Sequence, residues 1–119
     1  MDEKAGIFRE KKPMEEGLVK IKELKERYKD ITLSYRGKKC NLDLARALEL
    51  ECKLDIAEVI TIGAINREES RGSHYRLDFK DRDDTHWLKH TVARHSPQGP
   101  LLSYEPVKIT TFKPEARKY

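Results

Sequence analysis

Between Ile56 and Ile65 the chain reads Ile-Ala-Glu-Val-Ile-Thr-Ile-Gly-Ala-Ile, and this stretch constrains the fold more than any other. It lies within a helical pattern that opens at Asn41, a side chain suited to an N-cap, with Asp43 just inside the first turn. That helix is expected to run to about Glu69. A helix that is apolar nearly all round has to be covered on several sides. One cover is the amphipathic helix before it, opened by Pro13 with Glu15 and Glu16 in its first turn and ending near Lys29. Its residues Met14, Leu18, Ile21, Leu24 and Tyr28 recur by threes and fours on one face. A single helix cannot cover all sides. More cover is expected from the amino terminus, where Ala5-Gly6-Ile7-Phe8 reads as the end of an element that begins upstream of Met1, so that the chain is a fragment.

The demand for cover is sharp because apolar residues are scarce. Hydrophobic residues make up 37% of the 119 and charged ones 39%, against typical values of about 45–50% and 25%. The length suits one domain with one core. Although 25 Lys and Arg outnumber 21 Asp and Glu, the two are interleaved and the net charge is only +4, which is weak support for nucleic-acid binding. Cys40 and Cys52 have no CxxC spacing, and Cys52 sits among apolar residues, so both read as reduced thiols of an intracellular protein. No apolar run approaches the length needed to cross a bilayer, and the amino terminus lacks a signal-peptide layout.

After Gly72 the helical period stops. Ser96-Pro97-Gln98-Gly99-Pro100 separates Thr91–Arg94 from Leu101–Tyr104, two short runs expected to pair as antiparallel strands. Pro106 and Pro114 make the remainder extended.

The densest chemistry lies from Arg67 to His90, where Arg, Asp and Glu alternate around the only Trp and three of the four His. Arg and carboxylate side chains are held in defined geometry when partners accept their forked hydrogen bonds, so the run is expected to dock on something. Glu69 and Asp78, with bases close by in sequence, read as salt-bridge partners rather than as acids or bases. His86 and His90 have the four-residue spacing of zinc-binding helices, but Trp87 stands where the catalytic motif needs Glu, and neither Cys is placed as a fourth ligand. Ser70, Ser73 and Cys52 lack a nucleophile turn. The glycines are scattered, with Gly72 and Gly99 read as turn residues. Lys20, Lys22, Lys25, Arg27 and Lys29 are interrupted by Glu23 and Glu26, as on a solvated helix face.

Taken together, Ala5–Arg9, Asn41–Leu44, Glu49–Glu51, Arg67–Asp78 and Asp81–Thr91 closely resemble, in order and spacing, the C-terminal domain of succinate dehydrogenase and fumarate reductase flavoprotein subunits. Ser73 replaces a usual Ala and Lys80 a common Pro. L-Aspartate oxidase shares Ser70-Arg71-Gly72 and His74 but usually lacks Arg82-Asp83-Asp84 followed by Trp87 and Lys89-His90-Thr91. It and an independent nucleic-acid-binding helical module are the alternatives.

The resemblance implies a mainly α fold, a spectrin-repeat-like three-helix bundle with its first helix truncated (1–72), and an extended C-terminal tail holding a short antiparallel β pair (73–119). It implies no catalytic, cofactor or metal residue in this chain. FAD belongs to the parent subunit, which interconverts succinate and fumarate and passes electrons to an iron–sulfur subunit. The partners implied are the flavin-binding and capping domains of the same subunit and the iron–sulfur subunit, with no nucleic acid. Contact with the membrane is indirect, through a complex on the cytoplasmic side of a prokaryotic membrane. Arg67, Glu69, Ser70, Arg71, Gly72, His74, Arg76, Asp78, Arg82, Asp83, Asp84, Trp87 and His90 are the candidate interdomain docking residues. The competing reading is that they only knit the tail to the bundle. Arg71 and Trp87 are expected to matter more for assembly of the parent than for this domain's own fold.

Overall fold

The computed structural model describes residues 1–112 and 114–115. Two long antiparallel-style packing partners dominate it, α2 (Lys11–Tyr28) and α3 (Leu42–Asn66), preceded by a single helical turn, α1 (Asp2–Ala5), and a two-residue strand, β1 (Phe8–Arg9). After α3 come β2 (Tyr75–Arg76), β3 (Lys89–Arg94) and β4 (Leu101–Pro106). The architecture is mainly helical with a small sheet, as the sequence implied. Residues 113 and 116–119 of the expected extended tail lie outside the described residues.

α2 begins two residues earlier than expected. Pro13 still falls in the first turn, where a missing N–H costs no helical hydrogen bond. The shift leaves no acidic residue in that turn, so Glu15 and Glu16 do not face the helix N-terminus as expected. Met14 and Ile21 are buried on the face turned to α3, and Tyr28 donates its hydroxyl to Ala47 O at 3.0 Å. α3 opens where expected: Asn41 Oδ1 accepts the Leu44 N–H at 2.9 Å, while its amide donates to Tyr35 O and Gly37 O and ties down the connecting loop.

The helix closes three residues sooner than the sequence suggested. Arg67 turns extended (φ −86°, ψ 102°) while its N–H still reaches Gly63 O. The apolar stretch is covered on fewer sides than its composition implied. Within it Ala64 is buried, but Ile56 and Ile60 are 58% and 45% exposed. Cys52 is exposed as well, not apolar-packed. Glu58, the one charge between Ile56 and Ile65, is buried and accepts from Lys25 Nζ at 2.6 Å; Asp55 takes the same ammonium at 2.7 Å.

β3 and β4 pair antiparallel with Thr91 opposite Tyr104 and Arg94 opposite Leu101, extending the expected pair at its open end. The turn closes through Gly99 N–H to Ser96 O, with Gly99 at φ +115°. β1 and β2 pair in parallel, Phe8 beside Tyr75 and Arg9 beside Arg76, a contact the sequence did not announce. Among the described residues no helix is long and apolar enough to cross a membrane.

Because Met14 is fully buried, Met14→Ala is expected to destabilise the chain by about 2–5 kcal/mol. Exposed Val19→Ala on the same helix should stay within roughly 0.5 kcal/mol. Urea denaturation of the two variants checks the orientation of α2.

Candidate functional site: an ion-pair cluster at the end of the long helix

All of the candidate docking residues except His90 gather in one network where α3 stops. A helix end leaves carbonyls without partners and carries partial negative charge, and the last turn of α3 contains no basic residue. The cation comes instead from β2. Arg76, with no exposed surface, directs Nη1 at Ala64 O (2.9 Å), Ile65 O (3.0 Å) and Arg67 O (2.9 Å). Its other edge forks onto Asp78, Nε to Oδ1 and Nη2 to Oδ2, both at 2.7 Å, and its plane lies over Phe79 at 4.9 Å. Asp78 also accepts the Lys11 N–H that starts α2. Ser70 completes the corner: its hydroxyl donates to Phe79 O at 2.7 Å and accepts the Arg76 N–H at 2.8 Å.

A second buried charge sits beside the first. Glu69, also without exposed surface, accepts from Arg67 Nη1, from Arg71 through Nε (2.8 Å) and Nη2 (2.9 Å), and from the Asp83 N–H (3.0 Å). Gly72, at φ +61°, makes the tight return between Arg71 and His74, whose backbones exchange bonds of 2.9 and 3.0 Å. A side chain there would be strained. Arg71 continues to Asp84 at 2.6 Å. Arg82 forks onto the same Asp84 and also donates to Glu115 O. Asp83 caps the following turn, accepting the N–H groups of Thr85 and His86 and pairing with the His86 ring at 2.8 Å.

The third layer is aromatic. Arg67 Nη2 donates to Lys89 O at 2.7 Å, and its guanidinium lies 5.3 Å from the Trp87 ring centre. Trp87 meets Tyr104 edge-on at 5.6 Å. The Lys89 ammonium stands over both rings, at 4.4 and 4.3 Å, an arrangement that favours a cation electrostatically. His90 is exposed on β3 opposite Glu105. His86 lies in a turn and His90 in a strand, so their spacing does not place them on one helix face.

The cluster holds its carboxylates ionised. Burial pushes the Glu69 carboxyl up, but the hydrogen bonds from Arg71, Asp83 N–H and Arg67 outweigh it and leave it below the usual range. Arg76 lowers Asp78, and Arg82 with Arg71 holds Asp84 down to about 2. Arg71 in turn is raised, chiefly by Glu69. None of these groups is poised near neutrality to move protons; they are ion-pair partners.

No buried side-chain nitrogen or oxygen among the described residues lacks a hydrogen-bond partner, and no three metal-capable side chains converge there. α2 is entered through Arg9-Glu10 and α3 through Cys40-Asn41, not through a glycine turn that could cradle phosphates. On α2 Lys20 pairs with Glu23 and Lys25 with Asp55 and Glu58, and at its C-cap Lys29 pairs with Glu26. Sequence reasoning missed Arg9, which reaches the cluster through His74, and the buried Glu58–Lys25 pair.

Removing one partner of a buried pair leaves the other uncompensated, at roughly 3–5 kcal/mol. Arg76→Met is expected to lose about that much in chemical denaturation, whereas exposed His86→Ala should leave the midpoint unchanged. Glu69 and Asp78 are depressed in the folded state, so the stability they contribute is present above the ordinary carboxylate values of 4.5 and 3.8. It is lost as pH falls below them. Denaturation midpoints measured from pH 7 to pH 3 should fall over that window, and less steeply in Glu69→Gln.

The family model described as fumarate reductase flavoprotein C-term matches residues 1–119. The fumarate reductase flavoprotein subunit of Haemophilus influenzae is 46% identical over all of this chain and 20% of its own length. The succinate dehydrogenase flavoprotein subunit of Rickettsia conorii is 40% identical over 97% of the chain and 20% of its own. A solved chain of Escherichia coli quinol fumarate reductase superposes with a TM-score of 0.92 at 39% identity, over 98% of this chain and 20% of that one. The chain thus spans about a fifth of the length of the relatives it matches. It belongs to the C-terminal domain family of fumarate reductase and succinate dehydrogenase flavoprotein subunits.

Proposed function

We propose that the chain is the non-catalytic structural domain of a subunit that interconverts succinate and fumarate through FAD and passes electrons to an iron–sulfur partner. In this reading FAD and the reacting groups lie in the flavin-binding and capping domains. The helical part (1–72) packs on the flavin domain, and the tail (73–119) ties back to it through the ion-pair cluster. Any contact with the membrane is made by the complex, on its cytoplasmic side.

The observation that supports docking most is the apolar ridge of α3. Leu44, Leu48, Cys52, Ile56 and Ile60 recur every four residues, the spacing of a helix ridge that packs into a neighbouring groove. All five are exposed, while Ala47, Leu54, Glu58 and Thr61 occupy the face turned to α2. Contiguous exposed apolar residues of this kind mark an interaction surface. The inner groups of the ion-pair cluster already have partners in the chain, so docking through it falls to its outer members, Arg82, Asp84, Trp87 and His90. The identity of the relatives supports the chemistry assigned to the parent.

Two measurements test the reading. The purified 119-residue chain should be colourless and should not reduce a dye with succinate; stoichiometric flavin absorbance or succinate-dependent reduction overturns the non-catalytic assignment. In the full-length subunit, Ile56→Glu with Ile60→Glu should lower flavin content and turnover by roughly tenfold or more, as expected for charges forced into a closed interface. The same pair should leave the melting of the isolated chain nearly unchanged, since both positions are exposed there. Wild-type flavin content in the double variant removes the docking assignment.

A further inference from the structure

A side-chain bond to a neutral acceptor helps join the N-terminal strand to the ion-pair cluster. Arg9 Nη1 donates to His74 Nδ1 at 2.6 Å, and Arg9 Nε is turned inward onto Gly6 O at 2.7 Å. Around this bond lie the two-residue β1–β2 pairing, the Leu77 N–H on Arg9 O at 2.8 Å and an edge-on contact of Phe8 with Tyr75 at 5.6 Å. Little apolar burial reinforces the joint, since Ile7 and Phe8 are both exposed. The joint therefore depends on polar contacts more than on packing.

The Arg9 bond also fixes the tautomer. An Nδ1 that accepts from a guanidinium carries no proton, so Nε2 carries it and donates to Arg67 O at 3.2 Å. We propose that His74 is an acid-sensitive latch: a proton on Nδ1 removes the lone pair that Arg9 uses, and β1 with its flanking residues releases from β2. The release is a local opening, because the α2–α3 packing and the Arg76 cap make no use of Arg9.

The surroundings set the direction. Arg9 faces the ring from β1, Arg76 from β2 and Arg67 from the end of α3, while Arg71 meets His74 through the backbone bridge. The nearby carboxylates are engaged elsewhere, Glu69 by Arg67 and Arg71 and Asp78 by Arg76. Burial, opposed by the bond to Arg67 O and reinforced by the three guanidiniums, holds the ring below its ordinary value of 6.5. The released form therefore binds the proton more readily than the latched one. The latch is closed above about pH 6.5 and weakens progressively below it.

The latch is made of contacts within this chain alone and is independent of the role proposed for the parent. Amide hydrogen exchange followed by NMR between pH 7.5 and 5, corrected for intrinsic rates, tests it in the 119-residue chain. Leu77 N–H protection should fall by roughly threefold or more while the amides of α3 around Thr61 keep theirs, and the His74 ring signals should titrate with the same midpoint. His74→Gln, which can accept and donate but cannot take the proton, should hold Leu77 protection level across the range. Constant Leu77 protection in the wild type, an equal fall in His74→Gln, a parallel fall throughout α3, or a His74 midpoint above 6.5 overturns the latch.

Discussion

A guanidinium shut away from water is the interaction on which the rest of this structure depends. An isolated buried cation is prohibitively costly, and Arg76 is tolerable only because its donors are matched by three carbonyls and a forked carboxylate. Those carbonyls are free only if α3 stops at Asn66, and they receive a cation where the helix is most negative. The position of Arg76 then dictates its neighbours. It sets β2, β2 offers an edge to β1, and Asp78 reaches the first N–H of α2. One side chain thus links the end of one long helix to the beginning of the other.

Magnitudes separate this cluster from the other charges. Exposed pairs such as Lys20–Glu23 and Lys53–Glu49 contribute about 0 to 1 kcal/mol and do not decide the fold. Glu69 and Arg76 differ because each is removed from solvent, so loss of a partner exposes an unpaired charge to a poorly polarisable interior. Such a network is directional. Apolar surfaces can slide over one another at small cost, whereas forked Arg–carboxylate bonds hold one angle between helix and tail.

Much of the helical framework was legible because it is periodic. The three-and-four spacing of Met14, Leu18 and Ile21 located α2, Asn41 marked the start of α3, and the Pro-Gly punctuation between Arg94 and Leu101 located the hairpin. Helix ends were less legible. The end of α3 is set by Arg76, a residue distant from it in sequence, and no local signal in Arg67-Glu68-Glu69 reports that. The β1–β2 pair was hidden for a similar reason: two residues on each side are too few for an alternating pattern. The run from Arg67 to His90 announced that Arg and carboxylates would pair, but not which with which, since the pairing follows from the backbone reversal at Gly72. Glu58 is the instructive omission. A single carboxylate inside an apolar helix must find a cation, and Lys25 on the neighbouring amphipathic helix was within reach of that argument.

Size and shape explain why polar contacts carry so much. The radius of gyration is 18.1 Å, against roughly 13.5 Å for a compact domain of this length, and the molecule extends 56 Å along its longest axis. Six apolar residues form the buried core of the described residues, two of them large aliphatics on α2 and one on α3. A core that small cannot by itself fix the angle between two helices and a tail. The fixed points are instead polar: Glu58 on Lys25 between the helices, with the Gly99 turn lying over the same carboxylate, and Arg76 with Glu69 where α3 ends. With its rigidity supplied by hydrogen-bonded charge at Glu58 and at its C-terminal end, α3 presents the ridge from Leu44 to Ile60 outward, the surface proposed to meet the rest of the subunit.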